Sequence, residues 1–258
     1  MVSTRVLALT LALSLAALAP AAFAQTTAPE CAADATLDAR VQAVMARTDR
    51  PDSQRSKDES RLSETRFVLA NIKPGDHVLD LGAGGGYASM LLSAAVCSGS
   101  VDSQNPPAWI DPKDDAARQA LATARPNLHL LVVDFDKVPV PAQPYDAIFI
   151  GTIYHDTYNE PGHDSAALLK DLASTLKPGG LVILTDHKTV DGAGATQTNS
   201  LHRIEEATVL ADFKAAGFEL VEDSDALANP ADDHTLKVFD PTVRGKTDRM
   251  ALVFRKPM

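Results

Sequence analysis

Val78-Leu79-Asp80-Leu81-Gly82-Ala83-Gly84-Gly85-Gly86-Tyr87 is the run that decides the fold of this chain. Its apolar lead-in predicts a buried strand. Its glycines predict a tight turn whose backbone comes close to a ligand. The apolar stretch over 87–96 predicts a helix whose N-terminus faces that ligand. Strand, glycine turn and helix make a nucleotide-type cradle, and the spacing argues against a dinucleotide. In the G-x-G-x-x-G fingerprint the third glycine lets helix pack on strand. Counted from Gly82 that position is Tyr87, which is too large, and counted from Gly84 it is Ser89, a poor match. A nicotinamide oxidoreductase is therefore disfavoured.

Outward from this run, strand and helix signals alternate. Strands are predicted near 76–81, 99–104, 128–133, 145–151, 180–186, 217–222 and 250–255. Helices are predicted near 36–48, 59–71, 86–96, 112–124, 163–176 and 203–216. Leu176-Lys177-Pro178-Gly179-Gly180 reads as a helix stop and turn before the fifth strand. Such alternation predicts an α/β fold, a doubly wound, Rossmann-like and mostly parallel sheet. The last two strands lack a convincing helix between them, which allows an antiparallel pair.

The spacing Asp80-x-Gly82-x-Gly84-x-Gly86 resembles the D/E-x-G-x-G-x-G motif of class I S-adenosylmethionine (SAM)-dependent methyltransferases. The Lys-Pro-Gly-Gly turn and the strand count extend the resemblance over about residues 73–256. More narrowly, the chain is similar to exported bacterial methyltransferases with signal peptides. That likeness rests on Gly85-Gly86-Tyr87, Gln104-Asn105-Pro106, Tyr154-His155-Asp156, Leu201-His202-Arg203-Ile204 and Arg244-Gly245-Lys246-Thr247-Asp248-Arg249. The resemblance implies a seven-stranded sheet ending in an antiparallel pair, SAM as cofactor and methyl transfer to a small-molecule acceptor. It places the glycine loop against the methionine part of SAM and Asp80 near its amino end. Asn105 falls where the family has a ribose-binding acid, keeping hydrogen-bonding capacity without charge. Asp134 falls at the acid that contacts the adenine amino group, with Phe135 placed to stack on the ring. Read alone, Asn105 is also a turn residue before Pro106-Pro107, and Asp134 a cap.

In a doubly wound sheet, ligands sit at the carboxyl ends of the strands where strand order reverses. That rule selects Gly82–Gly86, Ser103-Gln104-Asn105, Asp134-Phe135, Gly151-Thr152 and Asp186-His187, and the resemblance implies acceptor-side groups at Tyr154-His155-Asp156 after the fourth strand. A neutral His155 suits a general base, Asp156 an orienting partner, and His187 and His202 are further candidates. Arg203 suits a carboxylate or phosphate on the acceptor, or a surface pair with Glu205 or Glu206. His155, Asp156, His163, Asp164, Asp186 and His187 carry metal-binding atoms, but none has a spacing such as H-x-x-x-H, and no metal is expected. The charged stretch 55–61 reads either as a solvated helix or as a cover over the cofactor. Residues 224–249 read either as a surface loop or as a binding lid.

Arg5, the apolar run 6–21 and Ala22-Phe23-Ala24 predict a signal peptide over residues 1–24, with export to the periplasm. Residues 25–72 are then a linker with helices, and 73–258 the main domain. No second apolar run is long enough to span a bilayer, so no stable membrane insertion is expected after cleavage. With 24 Lys and Arg against 34 Asp and Glu, the net charge of −10 argues against nucleic acid. The two cysteines, Cys31 and Cys97, are open to one disulfide or to two free thiols. Against methyl transfer stands an alternative, an exported module that binds a nucleoside-like ligand without catalysis.

Overall fold

In the computed structural model, which describes residues 31–32 and 34–258, the strand leading into the glycine turn lies at the centre of the sheet. An N-terminal arm of helices α1 (Leu37–Met45), α2 (Asp52–Arg55) and α3 (Asp58–Ala70) leads into β1 (His77–Leu81). Then follow α4 (Tyr87–Ala95), β2 (Ser100–Asn105), α5 (Pro112–Ala124), β3 (Leu128–Val132) and β4 (Tyr145–Gly151). A short α6 (Tyr154–Thr157) precedes α7 (Ser165–Thr175) and β5 (Leu176–His187). The remaining elements are α8 (Thr198–Leu201), α9 (Glu206–Ala215), β6 (Glu219–Asp223) and β7 (Arg249–Arg255). The predicted signal peptide lies outside the described residues.

The seven strands lie in the order β3-β2-β1-β4-β5-β7-β6. The first five pair in parallel, and β7 runs antiparallel to both β5 and β6. Chain order reverses between β1 and β4, paired in register from Val78↔Ala147 to Leu81↔Ile150, so the switch point is where the glycine turn leaves the sheet. Every residue of β1 is buried, as expected for a parallel strand covered on both faces. On one face Val78, Val101, Phe149 and Val253 pack with Phe67, Val68 and Leu92 of the arm and α4. On the other, Leu79, Ile148, Val182 and Leu252 pack with Leu169, Leu172, Val209 and Phe213 of α7 and α9. The disulfide Cys31–Cys97 closes the open alternative for the cysteines and ties the arm to the end of α4.

Two expectations need correction. The Lys177-Pro178-Gly179-Gly180 segment is not a turn ahead of the fifth strand but lies inside β5, which begins at Leu176. Leu176 pairs with Tyr145, the register then shifts, and pairing resumes at Ala147↔Leu181. Gly179, at φ 73°, takes up the extra chain. The helix predicted over 203–216 starts only at Glu206, because Ile204 is drawn into a bridge with Lys188 beside β5. Helices α2, α6 and α8, each of four residues, are too short for a 3.6-residue period to register. Among the described residues, no helix is long and apolar enough to cross a membrane.

Candidate functional site

The glycine turn is built from within and held from the neighbouring strand. Gly82 (φ 66°) has no room for a side chain, since a Cβ there would stand 2.9 Å from Ile153 Cγ1. Gly84 (φ 52°) differs: it is exposed, and a Cβ would meet nothing within 4 Å. The space in front of Gly84 is thus open to a ligand. At the end of β2, Gln104 Oε1 accepts from Gly82 N at 2.9 Å, and Asn105 Oδ1 accepts from Gly84 N at 2.9 Å. Asn105 Nδ2 donates to Gly84 O at 3.0 Å, so the amide at the ribose-acid position is spent on the loop. Asp80 is 2% exposed and accepts from Ser89 Oγ of α4 at 2.5 Å. Burial pushes its carboxyl up to about 6, against the opposing Ser89 hydrogen bond and the Arg118 charge.

Farther along the switch-point edge, Asp134 is exposed beside a cavity of about 450 Å³ that Phe135, Thr157 and His163 also line. The Phe135 ring is 5% exposed and packs edge-on to Trp109 at 5.1 Å. Gly151 ends β4, where a Cβ would stand 2.6 Å from the Phe149 ring. Thr152 follows at φ 58°, a β-branched residue in left-handed backbone, fixed by its N–H donating to Thr185 O at 2.7 Å.

Thr152 opens onto a second cavity, of about 380 Å³. One wall is His155 and Asp156 of α6, His187 of β5 and His202, the C-cap of α8. The arm supplies Lys57, Ser60 and Arg61, so part of the charged stretch faces this cavity. The third wall is Val238, Phe239, Arg244 and Thr247 from the long connection before β7, with Arg249 of β7 itself. Arg61 and Arg249 share Glu64, at 2.9 and 3.1 Å. Burial alone would raise the Glu64 carboxyl, but the two arginines outweigh it and hold it below the usual range.

The histidines form one cluster. His155 sits on α6, not on a strand, so its side chain and that of Asp156 reach the same wall. His155 Nδ1 lies 2.7 Å from Asp186 Oδ1, and the His155 backbone N–H donates to Asp186 Oδ2 at 2.8 Å. His155 Nε2 lies 3.2 Å from His202 Nδ1 and 3.3 Å from Asp156 Oδ1. Burial pulls the His155 imidazolium down, yet the charges of Asp186 and Asp156 and hydrogen bonds to them outweigh it and raise it to about 10. Burial drives His187 down to about 3, helped by His155 and Arg249. His187 is therefore neutral, with Nδ1 2.7 Å from Thr247 Oγ1.

Of the six residues with metal-binding atoms, the structure separates two from the cluster. His163 stacks on Tyr158 at 4.1 Å, and Asp164 caps α7 through Ala167 N. Arg203 is neither an acceptor-binding group nor a partner of Glu205 or Glu206. It is 0% exposed and grips Asp232 at 2.9 and 3.1 Å. It also donates to the Lys188 and Leu236 carbonyls, which anchors the long connection to β5.

Residues 78–180 match a family profile described as a methyltransferase domain. Over 116 residues, 45% of the chain, the sequence is 29% identical to the protein-L-isoaspartate O-methyltransferase of Pyrococcus horikoshii. The match spans about half of that relative, 46% of its length. A SAM-dependent methyltransferase from Aquifex aeolicus superposes with a TM-score of 0.55 at 20% identity, covering 80% of this chain and 98% of that one. The fold is that of the SAM-dependent methyltransferases. The [4+2]-cyclase SpnF shares it too, with a TM-score of 0.56 at 17% identity over 77% of this chain and 81% of that one. The shared fold therefore does not choose the reaction.

Proposed function

We propose that this chain is an exported methyltransferase that transfers the methyl group of SAM to a small-molecule acceptor held in the 380 Å³ cavity. The observation that carries this reading is the open space at Gly84, on the loop that follows β1 next to the β4 end from which Thr152 leads into that cavity. The β1 and β4 ends lie side by side at Leu81↔Ile150, so donor loop and Thr152 leave the sheet together. SAM would lie with its methionine part on the glycine turn and its adenine toward Asp134. Displacement at the methyl carbon needs sulfur, methyl and acceptor in line, so most of the rate comes from positioning.

Lys57, Arg61, Arg244 and Arg249 line the cavity against the single carboxylate of Asp156. On a chain of net charge −10, that lining favours an acceptor bearing a carboxylate or phosphate. His155, held by Asp186, is the base for the acceptor's proton, with Asp156 and His187 beside it. With its pKa raised to about 10, it is charged at neutral pH and acts as a base only through its deprotonated form, whose share rises with pH. The Cys31–Cys97 disulfide and the signal-like residues 1–24 support export.

Calorimetry with SAM and S-adenosylhomocysteine tests the donor site, and labelled-methyl transfer to a panel of anionic hydroxyl and amine compounds tests the reaction. No heat and no thermal shift with either nucleoside would overturn the reading. The pairing of Asn105 with Gly84 favours a second reading, a binding module for another nucleoside-like ligand. Mass spectrometry of the ligand carried through native purification separates the two. Detected methyl transfer excludes the second.

A further inference from the structure

Three ligand atoms from two distant stretches of chain meet at the wall of the acceptor cavity. His155 Nε2, His202 Nδ1 and Asp156 Oδ1 stand 3.2, 3.3 and 3.2 Å from one another, a nearly equilateral triangle. Among the described residues, this is where histidine and carboxylate atoms gather closely enough to share one ion. We propose that these three atoms bind a divalent first-row transition metal ion, with its remaining coordination positions turned to the cavity.

The geometry fits such an ion. With bonds of about 2.1 Å, a metal stands roughly 1 Å above the plane of a triangle of this size, as in a three-ligand face with open positions. Two imidazoles and one carboxylate suit zinc, iron(II), cobalt(II) or manganese(II), and do not suit the all-oxygen preference of calcium or magnesium. The outer contacts are also those of a metal ligand. His155 Nδ1 is tied to Asp186, itself 0% exposed, which fixes the ring and leaves Nε2 as the coordinating nitrogen. His202 is held at φ 54°, a left-handed conformation unusual for a non-glycine residue, and Phe239 packs on its ring at 4.8 Å. Without an ion, two imidazole nitrogens and a carboxylate oxygen stand within 3.3 Å of one another. A metal binds the deprotonated ring nitrogens, and any proton held on them is released to solvent.

The ion-binding half of this proposal stands apart from the methyl-transfer reading. Its use rests on that reading: an acceptor hydroxyl bound to the metal would release its proton to solvent and become nucleophilic near neutral pH. His155 then acts as a ligand, and the metal rather than the imidazole activates the acceptor.

The test uses the full chain with its disulfide intact, freed of metal by chelator. Zn²⁺ is titrated by calorimetry, and Co²⁺ by its visible absorption. One equivalent of each is expected to bind. His202→Ala and Asp156→Ala should each weaken Zn²⁺ binding at least about tenfold, and Asp186→Asn by about 10- to 100-fold through loss of ring orientation. His129→Ala, an exposed histidine on β3, should bind as the parent does. Unchanged melting temperature and S-adenosylhomocysteine binding in His202→Ala show that the variant folds. Equal Zn²⁺ affinity in the parent and in both His202→Ala and Asp156→Ala would overturn the proposal, as would no Zn²⁺ binding by the parent. Zn²⁺ binding without SAM binding would sink the methyltransferase reading and leave the metal site standing.

Discussion

Asn105 grips both polar groups of the Gly84 residue, accepting from its N–H at 2.9 Å and donating to its carbonyl at 3.0 Å. A carboxylate at this position could make only the first of these bonds and would set its second oxygen against the Gly84 carbonyl. Asn105→Asp therefore trades loop rigidity for a charge. A buried polar group left without its partner costs about 1–3 kcal/mol. Urea unfolding should show a loss of that size, and calorimetry should show weaker S-adenosylhomocysteine binding despite the acid being restored.

The Cys31–Cys97 bond closes a loop with a sequence separation of 66. Chain entropy puts the stabilisation from such a loop at about 4 kcal/mol, and typical measured values are about 2–4 kcal/mol. Reduction by dithiothreitol, or Cys97→Ser, should lower the unfolding free energy by that amount. The loss should fall first on the arm, because α1 packs on α3 and α4 around Val41 and Val44. Hydrogen exchange across 37–70 measured with and without reductant resolves this order.

Asp80 gives the fold a pH dependence of known sign. Its folded pKa of about 6 lies above the unfolded value of 3.8. Its contribution to stability is therefore fully present below about pH 4 and is lost as pH rises through 6. The rise from 3.8 to about 6 corresponds to roughly 3 kcal/mol. Asp80→Asn keeps an acceptor for Ser89 and removes the buried charge. The variant should melt higher than the parent at pH 7.5 and no higher at pH 4.

Much of this was legible because it is local. The glycine turn, its preceding strand and the helix after it fall within residues 77–95, and each signal reads on its neighbours. The β-α alternation likewise follows from short-range pattern. The metal cluster was not legible, because His155 and His202 are separated by 47 positions and meet only through α6 and α8, both too short to carry a period. Arg203 misled for a related reason. Its sequence neighbours Glu205 and Glu206 suggest a surface pair, while the partner that holds it, Asp232, lies 29 positions away. The role of 55–61 was open because Lys57 and Arg61 give a polar pattern whether they face solvent or a polar cavity.

The Arg203–Asp232 pair fixes the wall that carries Val238 and Phe239. Both side chains are buried, at 0% and 1% exposure. Removing one partner leaves the other charge buried alone, which costs about 3–5 kcal/mol. Asp232→Ala should lower stability by that amount and open 225–248 to limited proteolysis, with cleavage mapped by mass spectrometry. Arg203→Met with Asp232→Leu, which removes both charges, should recover much of the stability.

Gly84 and Gly82 separate binding from folding. A side chain at Gly82 runs into Ile153 at 2.9 Å, so Gly82→Ala should destabilise the protein through both clash and backbone strain. At Gly84 nothing lies within 4 Å, and the cost is limited to left-handed backbone, roughly 1–2 kcal/mol. What a side chain there would displace is the ligand. Gly84→Val should therefore remain folded by circular dichroism, melt only a few degrees below the parent, and lose S-adenosylhomocysteine binding by at least about tenfold, which is about 1.4 kcal/mol. Undiminished binding in a folded Gly84→Val variant would place the cofactor elsewhere than on the glycine turn.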